Sequence, residues 1–180
     1  AYMDDKGKPH SYFVRKKIRQ SPVDFGYCTM TESCHNETVV AQSSYLLNAL
    51  GFHGMCGVEW KLDPTTDTYK LIEINGRAVN TTGCAIAAGV DLPTIAYFDA
   101  IGQTRAPVTD WPNGCRWTWL SMDFWAARQL MSEGKLTFRQ WLKEVFGVQA
   151  DAVFALDDFR FSRRYYMRFF GTVIWGKLTK

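Results

Sequence analysis

Three side chains on two neighbouring predicted strands have the types and spacing of a divalent-cation site. The runs MCGVEWKLD (55–63) and YKLIEIN (69–75) flank a five-residue polar loop and predict an antiparallel hairpin. Because strand side chains alternate between faces, we expect Glu59 to lie opposite Glu73, with Asn75 on the same face. Two carboxylates and an amide oxygen are donors that Mg²⁺ accepts when it also binds water and substrate phosphates.

The predicted register rests on a turn centred on Thr66. It aligns three residue pairs across the hairpin: Asp63 with Tyr69, Lys61 with Leu71, and Glu59 with Glu73. The same alternation predicts that Ile72 and Ile74 point to the opposite face, toward the core. A slip of one residue would separate the two carboxylates, because it moves every side chain of a strand to the other face.

On spacing alone, a simpler interpretation is an exposed hairpin face whose charges offset one another. Lys61 and Arg77 share the predicted face of the two glutamates, and basic neighbours reduce the repulsion between opposed carboxylates. Charged side chains are mostly found in solvent, so this interpretation needs no metal. The hairpin pattern therefore has a structural explanation beside the functional one.

A second candidate site is a basic strand predicted within residues 11–20. Arg15, Lys17 and Arg19 alternate on one face of this strand, and Lys16 lies on the other. Such a face is suited to binding phosphates or an acidic substrate. A solvated basic strand explains the same pattern.

The histidines, cysteines and tryptophans have spacings that indicate structural roles rather than a catalytic or ligand-binding site. The histidines are scattered one to a segment, and the five cysteines include no C-x-x-C pair. Neither a zinc site nor a disulfide framework is therefore indicated. The tryptophans of the C-terminal third have spacings more typical of a core than of a surface on which bases stack.

The elements that position these residues predict an α+β fold: an antiparallel sheet with packed helices, followed by a helical C-terminal extension. We expect one domain over residues 1–103 and the extension over 104–180, packed on the same body. Asn36 and Gly51 bound one predicted helix, and Asp91 begins another. The other predicted elements are strands at 11–20 and 27–33, a short helix at 84–89, and helices at 118–133, 137–146 and 159–170, with helix replacing strand after about residue 115.

Charge and hydropathy exclude several functional classes. Residues 160–180 hold six basic side chains and no acidic one, and the remaining 15 basic and 18 acidic residues leave a net charge of −3. An acidic body with a basic aromatic tail is not typical of a general nucleic-acid binder. No apolar run is long enough for a transmembrane helix and no signal peptide opens the chain, so we expect a cytoplasmic protein. We expect the tail to pack on the body, and contact with an anionic membrane or a partner is the alternative.

Three motifs in order resemble the C-terminal lobe of the ATP-grasp superfamily: G-V-E-W-K-L-D, K-L-I-E-I-N-G-R and A-I-A-A-G-V-D-L-P. The resemblance is strongest to predicted carboxylate–amine ligases similar to the carbamoyl-phosphate synthase large subunit. It implies Mg²⁺ (or Mn²⁺) held on ATP by Glu59, Glu73 and Asn75, with Arg77 contacting phosphate or the acid substrate. It also favours a substrate-binding role for Lys17 and Arg19, in the basic stretch RKKIRQSPVDFG.

The resemblance implies a fragment of an ATP-dependent ligase that joins a carboxylate to an amine or thiol through an acylphosphate. The N-terminal ATP-grasp half, which carries the adenine pocket, is absent from residues 1–180 and would be a missing partner, so we expect the chain alone to be inactive. Gly76 also stands where that family usually has proline. The alternative is a non-catalytic ATP-grasp-like module that acts through its tail on a membrane or partner. Assembly into a homo-oligomer is left open.

Overall fold

The chain folds into short strands and six helices in the part that the computed structural model describes, residues 1–178, with side chains through residue 173. The strands are β1 (Tyr2–Met3), β2 (Pro9–Ser11), β3 (Arg15–Ser21), β4 (Tyr27–Ser33), β5 (Gly54–Met55), β6 (Gly57–Asp63), β7 (Thr68–Asn75), β8 (Arg116–Thr118) and β9 (Ala150–Asp151). The helices are α1 (Glu37–Ala49), α2 (Thr82–Ala87), α3 (Leu92–Ala100), α4 (Leu120–Ser132), α5 (Phe138–Phe146) and α6 (Phe159–Leu178). Within those residues, no helix has the length and apolar character needed to cross a bilayer.

The α+β fold class is confirmed, and local signals located several of its elements. Asn36 caps α1, since its Oδ1 accepts a hydrogen bond from the backbone N–H of Val39 at 3.0 Å. The chain leaves that helix at Gly51, whose φ of +60° lies in the left-handed region that favours glycine. Asp91 caps α3 in the same way, accepting from the N–H of Thr94 at 3.0 Å.

The prediction of helix alone after residue 115 was wrong, because β8 and β9 lie in that region. They pair in parallel, Trp117 with Ala150 and Thr118 with Asp151, so the partners are distant in the sequence. Strands of two or three residues are too short to show an alternating hydrophobic pattern, and long-range pairing leaves no local signal. These strands complete a four-stranded sheet of order β3-β4-β8-β9.

The chain divides into two compact units, which we name unit 1 and unit 2. Unit 1 comprises Ala1–Lys16 and Glu32–Cys115, and unit 2 comprises Lys17–Thr31 and the chain from Arg116 onward. Each unit therefore draws on two separate stretches of sequence. The domain boundary expected between residues 103 and 104 stays a prediction.

Unit 1 contains a three-stranded antiparallel sheet of order β2-β1-β5 and the two-stranded β6–β7 hairpin. Its larger core packs α2 and α3 against β1, with Tyr2, Val90 and Trp111 almost fully buried. A smaller cluster joins Met3 of β1 to Leu47 of α1, and apolar residues at the inner end of the hairpin pack against it. The inner end of the hairpin thus packs on the unit, and Glu59, Glu73 and Asn75 lie in that inner half.

Unit 2 packs α4, α5 and α6 with strands β8 and β9. Trp117 is 2% exposed, and the small residues Ala126 and Ala127 of α4 are buried with it. The helix α6 is held by its tyrosines, because the Tyr165 hydroxyl lies 2.7 Å from the hydroxyl of Ser121 in α4. This core also contains charged side chains.

Candidate functional site

The hairpin brings the two predicted metal-binding glutamates together. In the β6–β7 pairing, Glu59 lies directly opposite Glu73, and Gly57 lies opposite Asn75. Residues that alternate along one strand share a face, so Glu59, Glu73 and Asn75 lie on the same face. The predicted arrangement of these three residues is therefore present, and their role in binding a metal stays a prediction.

The outer half of the hairpin differs from the predicted register. A β-bulge between the Glu59–Glu73 pair and the next pair leaves Ile72 without an opposite residue. Two of the predicted pairs are consequently wrong: Asp63 pairs with Thr68 and not Tyr69, and Lys61 pairs with Lys70 and not Leu71. The predicted register of the outer half was off by one residue, and the extra residue at Ile72 restored the pairing of Glu59 with Glu73.

The bulge also changes which side chains face helix α1. Beyond it, Tyr69 turns toward the helix, where its hydroxyl accepts a hydrogen bond from Nδ2 of Asn36 at 2.6 Å. Trp60 lies on that side as well and donates from Nε1 to the Ser43 hydroxyl at 2.8 Å. The prediction that Ile72 points into the core was wrong, since Ile72 is 57% exposed. Ile74, on the inner side of the bulge, packs against the smaller core cluster as expected.

The polar face of the hairpin reaches solvent at Glu73. The Asn75 amide donates from Nδ2 to Oε1 of Glu73 at 2.6 Å, which fixes the two side chains relative to each other. Glu73 and Arg77 are exposed, and Nη1 of Arg77 donates to the carbonyl of Ala78 at 2.9 Å. Glu59 and Asn75 are half-buried. The face therefore presents fixed oxygen atoms at the edge of solvent, where a substrate can approach.

The donor set fits Mg²⁺ only in company with a substrate. Among the described residues, no group of three His, Cys, Asp or Glu side chains is arranged to hold a metal ion. Glu59 and Glu73 provide two carboxylates, and Asn75 adds an amide oxygen. Mg²⁺ prefers six oxygen ligands and usually takes the remainder from water and phosphate groups. This chemistry matches a nucleotide-bound cation better than a permanently bound structural one.

The two predicted substrate-binding residues belong to unit 2 and differ from each other. Lys17 is exposed on β3, whereas Arg19 is only 6% exposed. The Arg19 guanidinium donates from Nε to Oδ1 of Asp123 at 2.9 Å and from Nη1 to Glu144. Burial acts to lower the pKa of Arg19, but hydrogen bonds and charge from Asp123 and Glu144 outweigh it and raise the pKa. Arg19 thus has a structural role, and substrate binding by both residues stays a prediction.

Asp123 is a buried, multiply hydrogen-bonded carboxylate that the sequence patterns did not predict. It has no exposed surface, and besides Arg19 it accepts hydrogen bonds from Thr29 Oγ1 at 3.0 Å and Trp141 Nε1 at 2.9 Å. These donors converge on one carboxylate, so the buried charge of Asp123 is both paired and hydrogen-bonded inside unit 2. The available signal was a single acid within the mostly apolar run LSMDFWAA of α4.

Comparison with known proteins identifies the family of this chain. A family model described as "ATP-grasp in the biosynthetic pathway with Ter operon" matches residues 3–122, two thirds of the chain. The class is therefore ATP-grasp, and this chain belongs to that family. The match favours the ligase interpretation over the non-catalytic binding module.

One curated relative matches a shorter region. The carbamoyl phosphate synthase large chain of Thermomicrobium roseum (strain ATCC 27502 / DSM 5159 / P-2) is 38% identical over 60 residues. The aligned region is 33% of this chain and 6% of that relative. The chain thus spans a small fraction of the length of the relative it matches.

Proposed function

We propose that this chain supplies the cation-binding hairpin of an ATP-dependent carboxylate–amine (or thiol) ligase. The observation that carries the proposal is the direct opposition of Glu59 and Glu73, with Asn75 hydrogen-bonded to Glu73 on the same face. Opposed carboxylates destabilise a hairpin unless a cation or basic group compensates them. Membership of an ATP-grasp family supports ATP as the substrate whose phosphates would share that cation.

The proposed reaction has two steps. A carboxylate oxygen of the acid substrate attacks the γ-phosphorus of ATP, the bond to the β–γ bridging oxygen breaks, and ADP leaves with the electron pair. The amine or thiol then attacks the acylphosphate carbonyl, loses its proton and displaces inorganic phosphate. The chemistry that Mg²⁺ or Mn²⁺ supplies when bound is neutralisation of charge on the phosphates.

The side chains of the hairpin have distinct proposed roles. Glu59, Glu73 and Asn75 provide the oxygen atoms that hold the cation in place. Arg77 follows them at the end of β7 and donates N–H groups to the transferred phosphoryl group or to the acid. Lys17 and Arg19 are proposed to bind the acid substrate. Lys17 is already exposed, while Arg19 would have to exchange a carboxylate partner to do so.

The experiment uses Mn²⁺ as a paramagnetic probe of the 180-residue chain. With ATP present, we expect Mn²⁺ to broaden the amide signals of residues 57–59 and 73–75 selectively, and Glu73→Gln to abolish this. The matched control is Asp67→Asn, which removes a carboxylate from the turn of the same hairpin. Asp67 has φ of +50°, a conformation that asparagine tolerates.

Broadening that persists in Glu73→Gln, or that centres on the turn and disappears in Asp67→Asn, would reject the hairpin face as the cation site. Broadening confined to ATP-free samples would show a cation site unrelated to nucleotide.

A further inference from the structure

An apolar groove of about 470 Å³ runs along α6 and lies wholly within unit 2. Its walls come mainly from five side chains: Phe154, Phe159, Tyr166, Met167 and Phe170. Met167 is 65% exposed, and the three phenylalanines are each about half exposed. Contiguous apolar surface of this kind on a soluble domain commonly marks an interaction site.

Hydrogen bonds hold the groove in shape. The buried Ser162 hydroxyl accepts from the N–H of Ala155 at 2.9 Å and contacts the carbonyl of Val153 at 3.1 Å, which fixes the loop that carries Phe154. The Tyr166 hydroxyl donates to Asp151, and burial together with this bond raises the pKa of Tyr166, so it remains a neutral donor. Preformed walls lower the ordering cost of binding a ligand.

Tyr166 and Ser162 bond to unit 2, but the exposed groove side chains of α6, Met167 and Phe170, are not among those that attach the helix. Tyr165 contacts Ser121, and Phe169 meets the Phe124 ring edge to face at 5.8 Å between centroids. Successive residues turn by about 100° around a helix, which places Met167 and Phe170 on a different side. The helix therefore has one apolar stripe that packs within unit 2 and a second that does not.

A row of arginines borders the second stripe. Arg160, Arg164 and Arg168 are exposed at four-residue spacing, and Arg163 lines the groove itself. No acidic residue occurs between positions 159 and 173, and none of these arginines forms an ion pair with the side chains that the structure describes. Like charges four residues apart repel each other on a helix, so an acidic ligand would stabilise the row.

We propose that α6 binds an acidic amphipathic segment of a partner protein. The apolar side chains of the segment enter the groove beside Met167 and Phe170, and its carboxylates accept hydrogen bonds from the arginine row. A concave groove accommodates a protruding helix, whereas a bilayer surface favours an apolar face that projects outward. The arginines restrict the partner to acidic sequence. This proposal does not depend on the ligase function.

The test measures binding of fluorescent helical peptides to the 180-residue chain by anisotropy. The probe is a peptide of Leu, Ala and Glu with leucines on one helical face, and its counterpart has every Glu replaced by Lys. We expect the acidic peptide to bind, with affinity that falls as salt rises, and the basic one to bind at least about tenfold more weakly. Met167→Glu and Arg164→Glu should each weaken acidic-peptide binding by about tenfold.

The matched controls are Met167→Leu, which keeps the groove apolar, and Arg139→Glu, which reverses an exposed charge on α5 of the same unit. Both should bind like the wild type. Equal affinity for the two peptides, or an equal loss in Arg139→Glu and Arg164→Glu, would overturn the proposal. A membrane contact would also overturn it. In that case neither peptide would bind, vesicles of phosphatidylserine and phosphatidylcholine would retain the chain, and Arg164→Glu would release it from them.

Discussion

Each unit of the molecule contains a pair of carboxylates, and the two pairs have opposite environments. In unit 1, Glu59 and Glu73 face each other on an open hairpin; in unit 2, Asp123 and Glu144 both bind the buried Arg19. Opposite charges tolerate burial when attraction and hydrogen bonds offset the lost hydration, whereas opposed like charges require water or a cation. In unit 2 the buried Arg19 is therefore matched by its acids, and losing one partner should be costly, whereas the opposed glutamates of unit 1 are where we propose that a cation binds.

The strongest test of this comparison removes the central acid of the buried network. Asp123→Ala should destabilise unit 2 by about 3–5 kcal/mol, because it leaves the Arg19 guanidinium buried with one of its two carboxylates missing. Chemical denaturation followed by tryptophan fluorescence measures the loss. Replacing the pair together, as Arg19→Met with Asp123→Leu, should recover much of it, because both fully buried charges are then gone and the partly exposed Glu144 can be hydrated. A double variant as unstable as Asp123→Ala would show that packing and not charge explains the effect.

The second test concerns the attachment of the hairpin. A Cβ added at Gly57 would lie 2.7 Å from Cγ1 of Val79, so Gly57→Ala should cost about 1–3 kcal/mol of unfolding free energy. A Cβ at Gly76 meets only the Phe52 ring at 3.6 Å, an ordinary contact, so Gly76→Ala should change stability little. Thermal melts of the two variants provide the comparison. If neither variant loses stability, Val79 moves aside freely. If both lose it equally, Gly76 has a constraint that the contacts do not show.

A third test uses pH. The Tyr2 hydroxyl donates to Oδ2 of Asp99 at 2.5 Å, and burial together with this bond raises the pKa of Tyr2 to about 12. The folded chain therefore holds the Tyr2 proton more tightly than the unfolded chain does. The resulting contribution to the unfolding free energy is complete below the pKa of tyrosine in the unfolded chain, near 10, and is lost as pH rises through about 12. We expect Tyr2→Phe to flatten the fall in unfolding free energy over that range. Tyr45→Phe, at a tyrosine 79% exposed, is the control and should leave the profile unchanged. An unaltered profile in Tyr2→Phe would contradict the assignment.

The smallest expected effect is that of Glu73→Gln on the metal-free chain. Glutamine can still accept the hydrogen bond that Asn75 donates, and the substitution removes one of two opposed charges. Stability should therefore stay unchanged or rise by well under about 1 kcal/mol. Thermal melts without divalent cation measure this. A clear loss of stability, absent in Asp67→Asn, would indicate that Glu73 holds the hairpin together and that the opposed glutamates are structural.

Short-range signals in the sequence were sufficient to predict helix ends and the faces that side chains of one strand share. Asn36 and Gly51 marked the ends of α1, because capping and left-handed φ depend on residues close in the chain. The alternation in KLIEIN placed Glu73 and Asn75 on one face, since parity along a strand is a local property. The pairing of Glu59 with Glu73 also needed the bulge at Ile72, which offset the error in the predicted register. The ATP-grasp resemblance came from the motifs that contain these residues, and the family match bears it out.

Contacts between distant residues decided the rest. The bulge at Ile72 accompanies the contact of Tyr69 with Asn36 at the start of α1, and no residue near Ile72 in the sequence predicts the extra position. The partners of Arg19 come from α4 and α5, more than one hundred residues away, so strand alternation alone grouped it with the exposed Lys17. Local patterns determine which elements form and which faces their side chains share. Only the tertiary structure determines which charges find partners, because burial and pairing depend on surfaces that the chain brings together after those elements exist.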